Sequence, residues 1–300
     1  MSAVAFTACE NDDQDFDDYE GGTSVYFSYQ YPVRTIMLGD GGEVDNTSDN
    51  AHKFTVYATT GGTYESFDFK VQVSVDETLC NNLYYEDGTA VKALPQSYYQ
   101  LSSSTSTYVG KFLSGVEVQL TDAFFADPAS LTTTYVLPLV MTGQTGADRI
   151  LSGTVADGYT APARTNSSAW SETPKDYTMV CLKYVNDWEG YYLVKGTATE
   201  LEKCTIVHVV TTSLTTCTYT NKDGVTMTLT FSGNNCTISD GAEGSGSYVA
   251  NSGEVWGQKE RAALNLQYTA GGTSYNETLV AQRRGDFAGT VVTYSPTYQE

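Results

Sequence analysis

The stretch FDFKVQVSVD (67–76) alternates without a break. Phe67, Phe69, Val71, Val73 and Val75 fall on one side, and polar or charged residues fall on the other. A period of two fits a strand with one face buried, whereas a helix would scatter those residues around its circumference. Similar runs recur in VYFSYQYPV (25–33), KFTVYATT (53–60), VEVQLTD (116–122) and TYVLPLVMT (134–142). Turn-forming glycines stand between them, in the stretch from Gly39 to Gly42, at Gly61-Gly62 and at Asp87-Gly88. Pro138, inside a strand-like run, points to an edge strand or a bulge. Many short strands with frequent turns predict an antiparallel sandwich in an all-β chain.

The segment TAPARTNSSAWSETPKDY (160–177) breaks the pattern with Pro162, Pro174 and a Ser/Thr cluster. It reads as a connection, so the expected organisation is a leader over 1–22, a sandwich over 23–160, a linker over 161–183 and a second β domain over 184–300. Alternation resumes in YYLVKGTAT (191–199), TIVHVVTT (205–212), VTMTLTF (225–231), GSYVA (246–250), ALNLQYT (263–269) and YNETLVAQR (275–283). Turns at Asn221 to Gly224 and at Gly271-Gly272 would close hairpins. The second domain is expected to be a smaller sandwich or an open barrel. Helix candidates near Ala123 to Leu131 and Gly146 to Leu151 are one or two turns long, and no stretch reads as a transmembrane helix.

The first twenty residues, MSAVAFTACENDDQDFDDYE, place Cys9 between a short apolar run and a block of acid. Phe6-Thr7-Ala8-Cys9 resembles a bacterial lipobox, in which the cysteine is acylated and becomes the mature N-terminus. The charged start and full apolar core of a secretory signal are missing, so Met1 reads as a misplaced or truncated start. The acids that follow have too little to bury and would form a solvated tether. Two or three acyl chains, at about 0.8 kcal/mol per buried methylene, make a stable anchor. Cys9 is therefore the expected lipidation site. The acidic run behind it resembles the export tag of Bacteroidetes surface lipoproteins, and that resemblance implies the outer face of the outer membrane as the expected location.

Charge narrows the partners. Thirty-six acids against 16 bases give a formal net charge of -20. Such a surface repels phosphate backbones, anionic membranes and acidic polymers, so nucleic acid is excluded as an expected partner. A neutral glycan or a surface protein remains. The other five cysteines, Cys80, Cys181, Cys204, Cys217 and Cys236, form no C-x-x-C pair and are odd in number. They read as small buried hydrophobes in preference to disulfides or zinc ligands.

Motifs for catalysis are lacking. The two histidines are His52 and His208, and His208 lies within the strand-like TIVHVVTT. There is no H-E-x-x-H, G-x-S-x-G, phosphate-binding loop or dinucleotide fingerprint. No catalytic residue, metal ligand or cofactor is assigned. The stretch GDGGEVDNTSDN (39–50) has oxygen ligands for calcium but not the EF-hand spacing, and turn chemistry accounts for it. Aromatic residues are the better lead. Trp170, Trp188 and Trp256 fall in or beside expected loops, and Tyr84-Tyr85 and Tyr98-Tyr99 are adjacent pairs, as is Tyr191-Tyr192. Neighbours in a strand point to opposite faces, so one ring of each pair should face outward. An exposed ring can stack on the C–H face of a sugar. The alternative role, covering the core or a sheet edge, is the commoner fate of any single ring.

Several long segments carry a family resemblance: LPQSYYQLSSST, GVEVQLTDAFFADP, TYVLPLVMT, TGADRILSG and RTNSSAWSETPKDY, with YQYPVRTIMLG and DNTSDNAHKFTVYATTGG. From about Val25 to Tyr184 the chain resembles Bacteroidetes surface lipoproteins of unknown function. Their N-terminal domain also precedes some surface endo-β-N-acetylglucosaminidases. EVWGQKERAALNLQYT and ETLVAQRRG are similar to a small C-terminal module often paired with it. The resemblance implies an immunoglobulin-like sandwich, a second β domain and a place in a polysaccharide-utilisation system. It transfers no catalytic residue. The expected function is non-enzymatic binding of an extracellular glycan, with candidate stacking residues Trp170, Trp188, Trp256, Tyr84, Tyr85, Tyr98 and Tyr99. An adhesion or assembly component that binds a protein is the second reading, and a glycoside hydrolase the third.

Overall fold

The computed structural model describes residues 19–40, 44–63, 68–108, 112–195, 205–255, 258–284 and 291–300. They form an all-β molecule with a two-sheet sandwich followed by a closed barrel.

One sheet of the sandwich runs, in spatial order, Arg149–Ile150, Ser24–Tyr26, Lys53–Gly61, Leu113–Leu120 and Tyr99–Leu101. Its strands alternate as expected. In Lys53–Gly61, Phe54, Val56 and Ala58 point into the core while Tyr57 faces out. The other sheet runs Val33–Met37, Tyr177–Val185, Tyr135–Thr145, Phe69–Val75 and Thr105–Tyr108, with Lys92–Ala93 also paired to the third of these. Phe69, Val71 and Val73 are buried between exposed Lys70, Gln72 and Ser74, whereas Phe67 lies outside the described residues.

The second sheet is covered on both faces. Leu137, Leu139, Met141, Val180 and Leu182 join the core between the sheets. Val136, Val140, Tyr177, Met179 and Cys181 pack on the far side against Leu79, Leu83 and Val91. Two covered faces need apolar residues at every position, which is why YVLPLVM and YTMVCL read as unbroken runs.

This overturns the linker expected over 161–183. Tyr177–Val185 is an interior strand, antiparallel to Tyr135–Thr145 and parallel to Val33–Met37. The sandwich passes to the barrel only at about residue 186. Pro138 is likewise in an interior strand, opposite Met179. It is tolerated because the neighbouring strand has ended there: Asp76 N–H bonds the Pro138 carbonyl, and regular pairing starts at Leu139. The Asp76 carbonyl, which would face a donor at Pro138, accepts the Leu79 N–H instead, so the missing proline N–H leaves no acceptor unpaired. The helix expected near Ala123 to Leu131 is present as Asp122–Ala126 and a 3-10 turn Pro128–Leu131. The one expected near Gly146 to Leu151 is absent, because Arg149–Ile150 pairs with Ser24–Val25 as a short parallel strand. Its entry is fixed by the Asp148 carboxylate, which accepts the Thr23 N–H at 2.7 Å.

The second domain closes completely. Eight antiparallel strands follow in chain order from Gly190–Lys195 to Thr273–Arg283, and the first pairs with the last. An eight-stranded barrel has an interior narrow enough for side chains to fill. The lumen is filled by residues such as Met227, Leu229, Leu264, Leu266 and Leu279. The expected hairpins at Asn221 to Gly224 and Gly271-Gly272 are present. After the barrel, Val33 and Tyr31 take up main-chain bonds with the 292–294 segment, so the chain ends back on the sandwich.

Candidate functional site

Between the margins of the two sandwich sheets lies a cleft of about 480 Å³. Buried Phe54, Val56 and Val180 line its depth. Exposed Tyr29, Tyr57 and Leu113 stand at its rim, with Val291 and Val292. This is the size range of pockets that hold small organic ligands.

Tyr57 owes its position to a glycine on the next strand. The register puts Tyr57 opposite Gly115. A Cβ at Gly115 would come within 2.2 Å of Thr55 Cγ2 and 3.0 Å of Tyr57 Cδ1, so the tyrosine ring rests where a side chain would otherwise stand. The rest of the ring is open, and Tyr57 is 55% exposed. Tyr29, 49% exposed, lies on the connection into the second sheet, where its carbonyl accepts the Thr178 hydroxyl at 2.8 Å.

Among the described residues, Arg34 is the one charged side chain lining the cleft. Its guanidinium is already engaged: one nitrogen pairs with the buried Asp49 carboxylate and another donates to the Thr35 carbonyl. The second Asp49 oxygen accepts Met37 N–H at 2.9 Å, and the short helix Thr47–Asn50 delivers that residue. A neutralised ion pair, apolar walls and the hydroxyls of Ser28, Thr35 and Thr55 suit an uncharged ligand with both C–H and hydroxyl groups.

Among the described residues, the aromatic side chains singled out from sequence do not assemble into a site. Trp188 is buried in the barrel, stacked on Phe231 with centroids 3.9 Å apart. Tyr99 is buried in the sandwich and its hydroxyl donates to Gln96 Oε1. Both therefore fail as platforms, because the space beside each ring is filled by core. Tyr98 is half-buried, edge-on to Tyr135, and bonded to Asp127. Tyr85 donates to the Thr134 carbonyl and packs beside Tyr294, and burial raises its hydroxyl pKa far above the ordinary range. Tyr84 is half-buried on a two-residue strand paired with Thr297–Tyr298. Trp170 is half-buried, its indole N–H bonded to the Ala163 carbonyl. Trp256 and Cys9 lie outside the described residues. Tyr29 and Tyr57 were the residues that sequence reasoning missed. The available signal was Tyr57 itself, an aromatic on the outward face of KFTVYATT.

Among the described residues, buried polar side chains elsewhere are mostly paired, the Ser130 hydroxyl and Arg284 Nε being the exceptions. Glu189 bonds His208 and the Thr211 N–H, and His208 stacks on Tyr191 at 4.3 Å, as a strand residue packed on its neighbours. In the lumen, Tyr219 and Tyr268 both donate to Glu277 Oε2. Cys80, Cys181, Cys217 and Cys236 are free thiols, and Cys204 lies outside the described residues. Burial pushes Cys217 to about 12 and Cys236 to about 11. Among the described residues no helix is long and apolar enough to cross a membrane.

A family model described as "-like, N-terminal domain" matches residues 18–148. No curated protein matches the chain. Among solved structures, the chain is similar to a Bacteroides ovatus protein of unknown function from structural genomics. The two are 33% identical, covering 94% of this chain and all of that one, with a TM-score of 0.84. A second Bacteroides ovatus protein of unknown function is 10% identical over 86% of this chain and 89% of its own, with a TM-score of 0.42. A third, described as a "putative carbohydrate binding protein" from the same species, is 14% identical over 91% and 78%, with a TM-score of 0.27. The last two likenesses are too distant to bear on fold or function. On the strength of the first, the chain belongs to the family of that Bacteroides ovatus protein, a Bacteroidetes family of unknown function.

Proposed function

We propose that this is a lipid-anchored surface protein that binds a neutral extracellular glycan in the sandwich cleft and does not transform it. The observation that carries the reading is Tyr57. Its ring lies on Gly115, stays 55% exposed and borders an apolar cleft whose one charged lining side chain is already paired. Large exposed rings beside a concave apolar surface are what a sugar's C–H face requires. Among the described residues no carboxylate lines the cleft, which favours holding over hydrolysis, since glycosidases work with a facing pair. The net charge of -20 favours a neutral polymer over an acidic one. In this reading Cys9, ahead of the acidic leader, is the acylated residue that anchors the protein to the outer membrane, and the role in polysaccharide utilisation is supported by the family resemblance alone.

The test is retention on a panel of neutral polysaccharides by the soluble protein beginning after Glu20. Wild type should be retained on at least one. Tyr57→Ala should weaken that retention about tenfold, in line with about 1.4 kcal/mol. No retention on any member of the panel, or sugar turnover by the purified protein, would defeat the proposal. Mass spectrometry of the protein from native membranes tests acylation at Cys9.

A further inference from the structure

The cleft is not a property of residues 18–148 alone. Thr178 and Val180 lie beyond the 18–148 match, and Val291 and Val292 come from the chain that returns after the barrel. The return is fastened along its length. Val33 N–H bonds the Val292 carbonyl at 2.7 Å, Pro32 and Thr293 form an antiparallel bridge, and Tyr294 N–H bonds the Tyr31 carbonyl at 3.0 Å. The Tyr294 ring then sits 5.5 Å from Tyr31 and 5.6 Å from Tyr85, and its hydroxyl donates to the Met179 carbonyl. Further on, Thr297–Tyr298 pairs with Leu83–Tyr84. Residues 292–294 are thus bridged to the connection and strand at the edge of the second sheet.

Their placement sets the character of the cleft. Tyr57 and Leu113 present apolar surface from the first sheet. Val33, Val291 and Val292 present it from the margin of the second, and the last two stay 47% and 50% exposed. A ligand held there meets apolar surface from two sheets. We infer that the C-terminal return builds the second apolar side of the binding slot, with Val291 and Val292 as specificity-determining residues. The slot selects pyranosides with all hydroxyls equatorial, as in β-linked glucose. Such a ring offers C–H groups on both faces and keeps its hydroxyls at the equator. An axial hydroxyl would be turned onto the apolar sides, away from the lining hydroxyls of Ser28, Thr35 and Thr55 that serve the equatorial groups.

This inference rests on the glycan-binding reading, and one experiment separates the two. Binding of cellohexaose and mannohexaose is measured by calorimetry for wild type, Tyr57→Ala, and the double variant Val291→Ser, Val292→Ser. Both valines are half exposed and their backbone bonds survive the change, so the double variant should melt as wild type does. Cellohexaose should bind at least tenfold more tightly than mannohexaose, and the double variant should lose most of that preference. Equal binding of the two sugars, or a double variant that binds like wild type, overturns the inference and leaves the cleft standing if Tyr57→Ala still weakens binding. If neither oligosaccharide binds, the slot specificity falls. The glycan reading falls with it if the neutral panel is also negative.

Discussion

Trp188 lies flat on Phe231, with ring planes 5° apart and centroids 3.9 Å apart. The Trp188 carbonyl accepts the Tyr192 hydroxyl at 2.8 Å, and its N–H bonds Asn186 Oδ1. The pair plugs the end of the barrel where the chain enters from the sandwich. Removing the Phe231 ring should leave a cavity that a closed eight-stranded wall cannot collapse to fill. Phe231→Ala is expected to cost about 3–5 kcal/mol of barrel stability. Denaturant unfolding followed by circular dichroism measures this. A loss below about 1 kcal/mol would mean the stack contributes little.

Gly115 and Tyr57 give the sharpest test of how the cleft is made. Any β-carbon at position 115 meets Thr55 Cγ2 at 2.2 Å, so Thr55 or Tyr57 must move. Gly115→Ala should cost about 1–3 kcal/mol through overpacking. It should also weaken glycan retention although it touches no ligand. Retention unchanged in a folded Gly115→Ala protein would show that the ring position is not what binds.

Much of the fold was readable because alternation survives wherever one sheet face meets solvent. Lys53–Gly61 and Phe69–Val75 follow it almost residue for residue. It failed at Tyr177–Val185, where both faces are covered and the pattern flattens into a continuous apolar run. A strand of that kind, next to a Pro/Ser/Thr cluster, looks like the end of a linker. Barrel closure was equally hidden, since the pairing of Gly190–Lys195 with Thr273–Arg283 joins segments about eighty residues apart and leaves no local trace. The site was legible only in part. Two adjacent pairs differ in burial as expected, Tyr98 from Tyr99 and Tyr191 from Tyr192, whereas Tyr84 and Tyr85 are both half-buried. Yet the outward ring is taken up by other protein groups: Tyr191 has His208 stacked on it and Arg283 over it at 4.2 Å. Nothing in the sequence brings Tyr29 and Tyr57 to one cleft, because that depends on the packing of two sheets.

Buried thiols add to the alkali sensitivity that buried tyrosines such as Tyr192 and Tyr219 also confer, since burial raises the pKa of both kinds of group. Burial holds Cys217 protonated up to about 12 in the folded state, well above the ordinary thiol near 9. A raised folded pKa means the unfolded chain releases its proton first as pH rises. The stabilisation is therefore complete below about pH 9 and is lost progressively between there and pH 12. The buried Cys236 acts in the same direction. Denaturation midpoints should fall across that window, and Cys217→Ser with Cys236→Ser should flatten the decline. In the native protein at pH 8, both thiols should resist a disulfide reagent that labels them readily after unfolding.

Arg284 ties the two domains together at the chain's second crossing. Its terminal nitrogens donate to four carbonyls: Leu38 at 2.8 Å, Asp40 at 2.7 Å, Asn186 at 2.7 Å and Asp187 at 3.0 Å. The first two belong to the sandwich, and the others to the turn that enters the barrel. Lysine cannot reproduce this, because an ammonium has three donors on one atom while the guanidinium spreads its donors across a plane. Arg284→Lys should therefore behave nearly as badly as Arg284→Ala, costing roughly 2–4 kcal/mol as carbonyls lose charged partners. The loss should appear first as loosened domains. Protease cleavage should rise at the 186–189 turn, and small-angle scattering should show a larger radius of gyration while each domain keeps its circular dichroism. If Arg284→Lys restores wild-type protease resistance, positive charge at the junction is enough and the forked geometry is not required.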